Sequence, residues 1–335
     1  MMKEKEGRRS KTDIILDVLN QIRTKEKTIG EIAKDLNTNW ESVKDAIGFL
    51  LRIGHIKETM LGSDKKYIAI KYGTEQSKIP TYFKLPVVET VERFAGYIYY
   101  KITEIFREKH KTSPTSTQLQ KIAVEIFESS IAKKIAIVPT GWYRFGKISV
   151  FGVRQGDLFD EYRNLKFDSD SELQKTIEDA VGSFSDLSSS EIRKEQYKKE
   201  SKIQYLILLE LEKLQSDFID LNTNKDKILK NLDMLVNLIP DKGETRGIIR
   251  SFLEFKNLLL QLSQKRNLND FKAVIYDTFS MLWDALATYN FYESLLTNNY
   301  YQKEILDDCF LMDIWLKQFT AQTCLEELKQ KAKAS

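Results

Sequence analysis

The sequence predicts a mainly α protein in three parts: an N-terminal unit of short helices closed by a β-hairpin, a small α+β middle unit, and a C-terminal helical bundle. Three observations carry that expectation. Apolar residues recur at helical spacing along most of the 335 residues. Eleven of the fourteen glycines fall at or before Gly156, which assigns turns and hairpins to the front and long helices to the rear. Charge divides in the same sense: residues 1–170 carry 30 Lys+Arg against 23 Asp+Glu, and residues 171–335 carry 22 against 26. The net charge of +3 therefore conceals a basic front and an acidic rear, which suggests different partners for each.

The first expected unit spans residues 10–72. Ile14, Ile15, Val18, Leu19 and Ile22 keep helical spacing behind Ser10 or Thr12 as the cap. Thr28 with Glu31 reads as a capping box, opening a short helix with Ile29, Ile32, Ala33 and Leu36. Asn37 makes a turn, and Thr38 with Glu41 reads as a second capping box. The helix it opens turns Val43, Ile47, Leu50 and Leu51 inward and stops at Gly54. His55-Ile56-Lys57, a turn at Gly62-Ser63-Asp64 and Tyr67-Ile68-Ala69-Ile70 then read as a β-hairpin. Helix, helix, turn, helix, hairpin is the order of a winged helix-turn-helix.

The run TIGEIAKDLNTNWESVKDAIGFLLRIGHIKE, residues 28–58, resembles the winged helix domains of prokaryotic transcription regulators. Its Ala-x-x-Leu end to the short helix and its Leu-x-x-x-Gly-x-Ile step into the wing carry the likeness, which covers about a fifth of the chain. The resemblance implies double-stranded DNA as partner. In a helix-turn-helix the start of the second helix lies in the major groove, which puts Thr38, Asn39, Trp40, Ser42 and Lys44 at the DNA. Lys34 is counted with them, and wing residues Lys65 and Lys66 meet the phosphate backbone. Arg8, Arg9 and Lys11 fit along a phosphate strand. Against this, Glu41 and Asp45 repel phosphate, and no arginine in the first three turns offers bidentate guanine readout. Trp40 fits either DNA or the domain surface.

The middle unit is expected over residues 87–165. Val91, Phe94, Ile98, Ile102, Ile105 and Phe106 mark one helix, and Leu119, Ile122, Ala123, Ile126 and Phe127 a second. A strand at Ile135 to Val138, a turn at Pro139-Thr140-Gly141 and the tract Trp142 to Val153 complete it as a hairpin. Trp142, Arg144, Lys147 and Arg154 interleave aromatics with cations, as single-strand-binding surfaces do. The alternatives are an ordinary hairpin covering neighbouring helices and an effector pocket. The bundle follows over 171–333. Ile207, Leu211, Leu214, Phe218, Leu221, Ile228, Leu232, Leu235 and Ile239 keep heptad spacing up to Pro240, either as a dimerisation helix or as bundle core. Asn222-Thr223-Asn224 would divide the seam into a helical hairpin.

Two histidines and two cysteines support neither a three-His zinc site nor a C-x-x-C pair. Phosphate-loop, G-x-S-x-G and H-E-x-x-H motifs do not occur. The acidic groups Asp157, Asp160, Glu161 and Asp307, Asp308, Asp313 read as solvated faces. No catalytic residue, metal or cofactor is expected. The most apolar stretch, Tyr205 to Leu214, is broken by Glu210, Glu212 and Lys213, far short of the ~20 apolar residues of a membrane span. With no apolar leader and thiols suited to a reducing compartment, a soluble cytoplasmic protein is expected. The function these readings support is a DNA-binding transcriptional regulator whose helical C-terminal part forms an oligomer, expected to be a dimer, or binds a partner or effector. The alternative is a non-enzymatic scaffold subunit that docks protein through the winged helix.

Overall fold

The computed structural model describes residues 14–15, 17–18, 21–22, 25–52, 56–61, 64–69, 85–152, 159–167, 170–198, 202–242 and 245–334. They belong to two units, Met1–Lys84 and Leu85–Ser335. In the first, helical backbone at residues 14, 15, 17, 18 and 21 precedes α1 (Ile29–Asp35) and α2 (Trp40–Arg52), and strands β1 (Ile56–Leu61) and β2 (Asp64–Ala69) form the hairpin. β1 and β2 pair antiparallel, with Glu58 opposite Tyr67 and Met60 opposite Lys65. Lys27 adds a short third strand that the sequence does not signal. Its amide donates to the Tyr67 carbonyl at 3.1 Å, and the Tyr67 amide returns a bond at 2.9 Å. The core is Ile15, Val18, Ile22, Ile32, Val43, Ala46, Ile47, Leu50, Ile56 and Tyr67, which are the helical-period positions plus the strand residues that face them. Gly54, His55 and the wing tip Gly62-Ser63 lie outside the described residues.

The larger unit contains α3 (Glu89–Ile105), α4 (Ser116–Glu128), α5 (Ser130–Ile135), β3 (Thr140–Tyr143), β4 (Gly146–Ser149), α6 (Asp170–Phe184), α7 (Ser189–Lys198), α8 (Lys202–Asp217), α9 (Lys225–Leu238), α10 (Arg246–Lys265), α11 (Lys272–Thr297) and α12 (Lys303–Ala334). A division between residues 165 and 171 would cut a shared core. Leu173, Ile177, Val181 and Phe184 of α6 and Ile192 of α7 pack in one cluster with Phe94, Ile98, Ile122 and Phe127. The middle hairpin in turn packs on α11. The expected separate middle and C-terminal domains are therefore one body, because α6 supplies the apolar face that α3 and α4 need.

Every seam residue from Ile207 to Ile239 is buried within the chain. The seam is a helical hairpin, α8 packed on α9, and not an external zipper. Asp220 makes the break by accepting hydrogen bonds from the Asn222 and Thr223 amides at 3.2 and 3.3 Å. α11 is enclosed on every side: all residues from Ser280 to Tyr292 are buried against α10, α12 and β3. A helix buried all round has no solvent face to offer.

The strand expected at Ile135 to Val138 is absent. α5 runs through Ile135, and the hairpin turn falls at Arg144-Phe145 instead of Pro139-Gly141, with Tyr143 opposite Gly146. Gly146 makes this possible at φ +102°, where a Cβ would lie 2.7 Å from Gln196 Oε1 and 2.9 Å from Lys121 Nζ. Gly146→Ala is expected to destabilise this unit by about 1–3 kcal/mol, measured as a lowered denaturant midpoint.

Beneath the turn, the Lys121 ammonium donates to the Lys147 carbonyl at 2.7 Å. Burial, reinforced by nearby Arg193, pushes its pKa well below the usual 10.5. Between that lowered value and 10.5 the unfolded chain binds more protons, so stability should climb with pH there. Lys121→Met is expected to flatten that climb in denaturant midpoint on the alkaline side, up to about pH 10. An unchanged climb would mean that the amine stays charged when folded.

Candidate nucleic-acid interface

α1 carries the expected capping box: the Thr28 amide donates to Glu31 Oε2 at 2.7 Å and the Glu31 amide to Thr28 Oγ1 at 3.2 Å. Those bonds, with Coulomb contributions from Lys66 and Lys25, hold the Glu31 carboxyl below its usual range. α1 is capped by Leu36, and the next residue, Asn37, takes the left-handed conformation at φ +46°. Asparagine tolerates that conformation better than most residues, and the chain then turns into α2. The second capping box does not form. Asn39, one residue beyond Thr38, accepts the Glu41 amide on Oδ1 at 2.6 Å, because α2 begins at Trp40. The Asn39 side-chain oxygen thereby uses one of its two lone pairs, and its NH2 group remains as a donor.

The two faces of α2 separate cleanly. Val43, Ala46, Ile47 and Leu50 are buried, while Asn39, Trp40, Glu41, Lys44 and Asp45 are exposed and Ser42 is half-buried. Trp40, 49% exposed, sits one turn before Lys44, whose Nζ lies 5.2 Å from the centre of its ring, within cation–π reach. Lys34 is exposed in the last turn of α1, and Thr38 is half-buried in the turn between the helices.

On the wing, Lys65 is exposed and pairs with Glu58 at 3.1 Å across the strands. The hydrogen bond to Glu58 holds its ammonium above the usual range. Lys66 is half-buried. Arg8, Arg9 and Lys11 lie outside the described residues.

The middle hairpin does not provide a second open surface. Trp142 is 4% and Arg144 9% exposed. The Trp142 amide donates to Ser294 Oγ at 3.1 Å, and its ring packs 5.5 Å from that of Tyr197. Arg144 pairs with Asp284 at 2.9 Å, donates to Ser280 Oγ at 2.9 Å and stacks over Trp283 at 4.8 Å. Lys147 forms an ion pair with Glu128. These aromatics and cations are spent on α11 and its neighbours, as the ordinary-hairpin alternative requires. Arg154 lies outside the described residues.

Nor are the rear carboxylates a uniformly solvated face. Asp307 is bonded to Tyr292 Oη at 2.7 Å and to Lys303 at 2.5 Å. Asp313 is fully buried, 3.0 Å from Lys317. Among the described residues no group of His, Cys, Asp and Glu is arranged to hold a metal ion. No helix among them is long and apolar enough to cross a membrane.

Residues 8–78 match the family model for the winged helix-turn-helix. The match starts and ends within a few residues of the unit read from the sequence and holds α1, α2 and the β1–β2 hairpin. No curated protein and no solved structure matches the chain.

Proposed function

We propose that the chain is a DNA-binding transcriptional regulator of the cytoplasm. α2 enters the major groove with Asn39, Trp40, Ser42 and Lys44, Thr38 stands at its entrance, and Lys34, Lys65 and Lys66 meet phosphates, as Lys44 does from within the groove. The Leu85–Ser335 unit forms a dimer or takes up a partner or effector, and no catalysis is involved. One observation carries this reading: on a winged helix-turn-helix, the start of α2 turns Asn39, Trp40 and Lys44 to solvent while its apolar side closes the core. A protein pairing two such small modules gains the affinity that one lacks.

The test is titration of double-stranded DNA with the full chain at low and at near-physiological salt. Binding that weakens steeply with salt is expected. Undetectable binding at low salt would overturn the proposal. Glu58→Gln is expected to strengthen binding several-fold in the same titration, because it frees Lys65 and removes an anion from the wing; weaker binding would place the wing away from phosphate.

A second reading, a scaffold subunit whose winged helix docks protein, draws on exposed Glu41 and Asp45, which oppose phosphate on the same helix as Lys44. A heteromeric complex that survives nuclease treatment, with no duplex binding at low salt, would replace the first reading by the second.

A further inference from the structure

We infer that Trp40 is a specificity-determining residue that reads a thymine 5-methyl group in the major groove. This rests on the DNA-binding reading above and adds the base class that α2 selects.

Most other routes to base readout are closed on this helix. Its first three turns hold no arginine, so the planar fork that reads guanine best is missing, and Lys44 is the one cation there. Asn39 has its oxygen held by the Glu41 amide at 2.6 Å. That bond fixes the orientation of the amide and takes one of the oxygen's two lone pairs, so adenine would have to share the acceptor with it. Ser42 is half-buried. Glu41 and Asp45 are acceptors only, and their charge opposes close approach to the backbone.

Trp40 remains, a large apolar side chain in the first turn of the α2 face that carries Lys44, half exposed to water where burial would be favourable. Lys44 Nζ lies over its ring at 5.2 Å, so the indole and the cation act as one unit. At the start of the helix that enters the groove, the exposed ring faces the base edges. The apolar group displayed there is the methyl of thymine. Indole N–H is a donor alone, which leaves the ring's contact area as its main means of discrimination.

The experiment enriches the full-length chain on a pool of randomised duplexes of about 20 base pairs, two helical turns. Each thymine of the enriched site is then replaced singly by deoxyuridine, which removes only the methyl. One replacement is expected to weaken wild-type binding by roughly fourfold, the equivalent of one buried methyl group. Trp40→Ala is expected to weaken binding to the thymine duplex by at least that factor and to be indifferent to the replacement. Trp40→Phe keeps a ring and should keep part of the sensitivity.

The salt dependence of Trp40→Ala is expected to match wild type, since no phosphate contact is lost. The inference is overturned if no single replacement alters wild-type affinity, if Trp40→Ala still senses the methyl, or if the pool is bound without enrichment of any sequence. Those outcomes leave DNA binding intact. Retention of no duplex at low salt removes the DNA-binding reading and this inference together.

Discussion

Asp313→Ala is expected to destabilise the Leu85–Ser335 unit by about 3–5 kcal/mol, because it strands a charged lysine in the interior. Asp313 and Lys317, one turn apart on α12, are 0% and 1% exposed and lie 3.0 Å apart. The ammonium also donates to Thr288 Oγ1 at 2.6 Å, and that hydroxyl donates to the Asp284 carbonyl at 2.8 Å. Asp284 in turn pairs with Arg144 at the hairpin turn. Two cations and two anions thus join β3–β4, α11 and α12 in one enclosed network. Burial there pushes the Tyr143 phenol up to about 12.

Burial alone would lower the Lys317 pKa, but Asp313, Tyr143 and Asp284 outweigh it and raise it above its usual range. A base raised on folding contributes stability that is complete below its unfolded value near 10.5 and is lost only as pH rises through the higher folded value. Removing Asp313 takes away the largest raising influence and leaves burial opposed only by Tyr143 and Asp284, so at neutral pH Lys317 either keeps its charge without its partner or gives up its proton, each at a cost in stability. For a unit of this size the loss corresponds to a melting temperature lowered by about 10 °C. The companion variant Asp313→Leu/Lys317→Met removes both charges and is expected to recover most of the stability. If the single variant melts like wild type, the pair is not closed to water.

That network also marks where the sequence stops being readable. α1, α2 and the hairpin were legible because their signals are local: a capping box at Thr28, an asparagine at a left-handed turn, and apolar residues at helical spacing. The Lys27–Tyr67 bridge was not, since a single-residue strand carries no pattern. The cap of α2 was placed one residue early because Thr38-x-x-Glu41 and Asn39 compete for the same role, and only the start of the helix decides between them.

The larger unit was legible as helices but not as a body. Arg144 and Asp284 are 140 positions apart, and interleaved aromatics and cations look alike whether they face solvent or another helix. Asp313 shows the same limit. A carboxylate between apolar neighbours reads as a solvated stripe unless the helix is known to be enclosed. The heptad seam had two readings for the same reason, since spacing specifies a face and leaves open what covers it.

Alanine at Lys44, Lys65 and Lys66 together is expected to lower the slope of log affinity against log salt by about 2.7, at about 0.9 per neutralised phosphate. Near 50 mM salt this amounts to about a three-thousandfold loss in affinity, shrinking toward nothing as salt approaches 1 M. Fluorescence anisotropy with a labelled duplex over that range measures both quantities. The three lysines need not contribute equally. Among the described residues Lys44 is tied to the Trp40 ring and to no carboxylate, whereas Lys65 must leave Glu58 at 3.1 Å and so exchanges one ionic partner for another. Its alanine variant should cost less than that of Lys44, and the difference should vanish in a Glu58→Gln background.

Glu41 and Asp45, exposed beside them, act in the opposite direction. Glu41→Gln/Asp45→Asn should raise affinity without steepening the slope, because it removes repulsion and adds no phosphate contact. A protein-docking surface would answer these changes differently. The lysine variant would leave the already weak salt response of duplex binding unaltered, and the acidic residues would contribute to affinity instead of opposing it. The slope therefore separates the two uses of the same winged helix, even if the bound sequence is never identified.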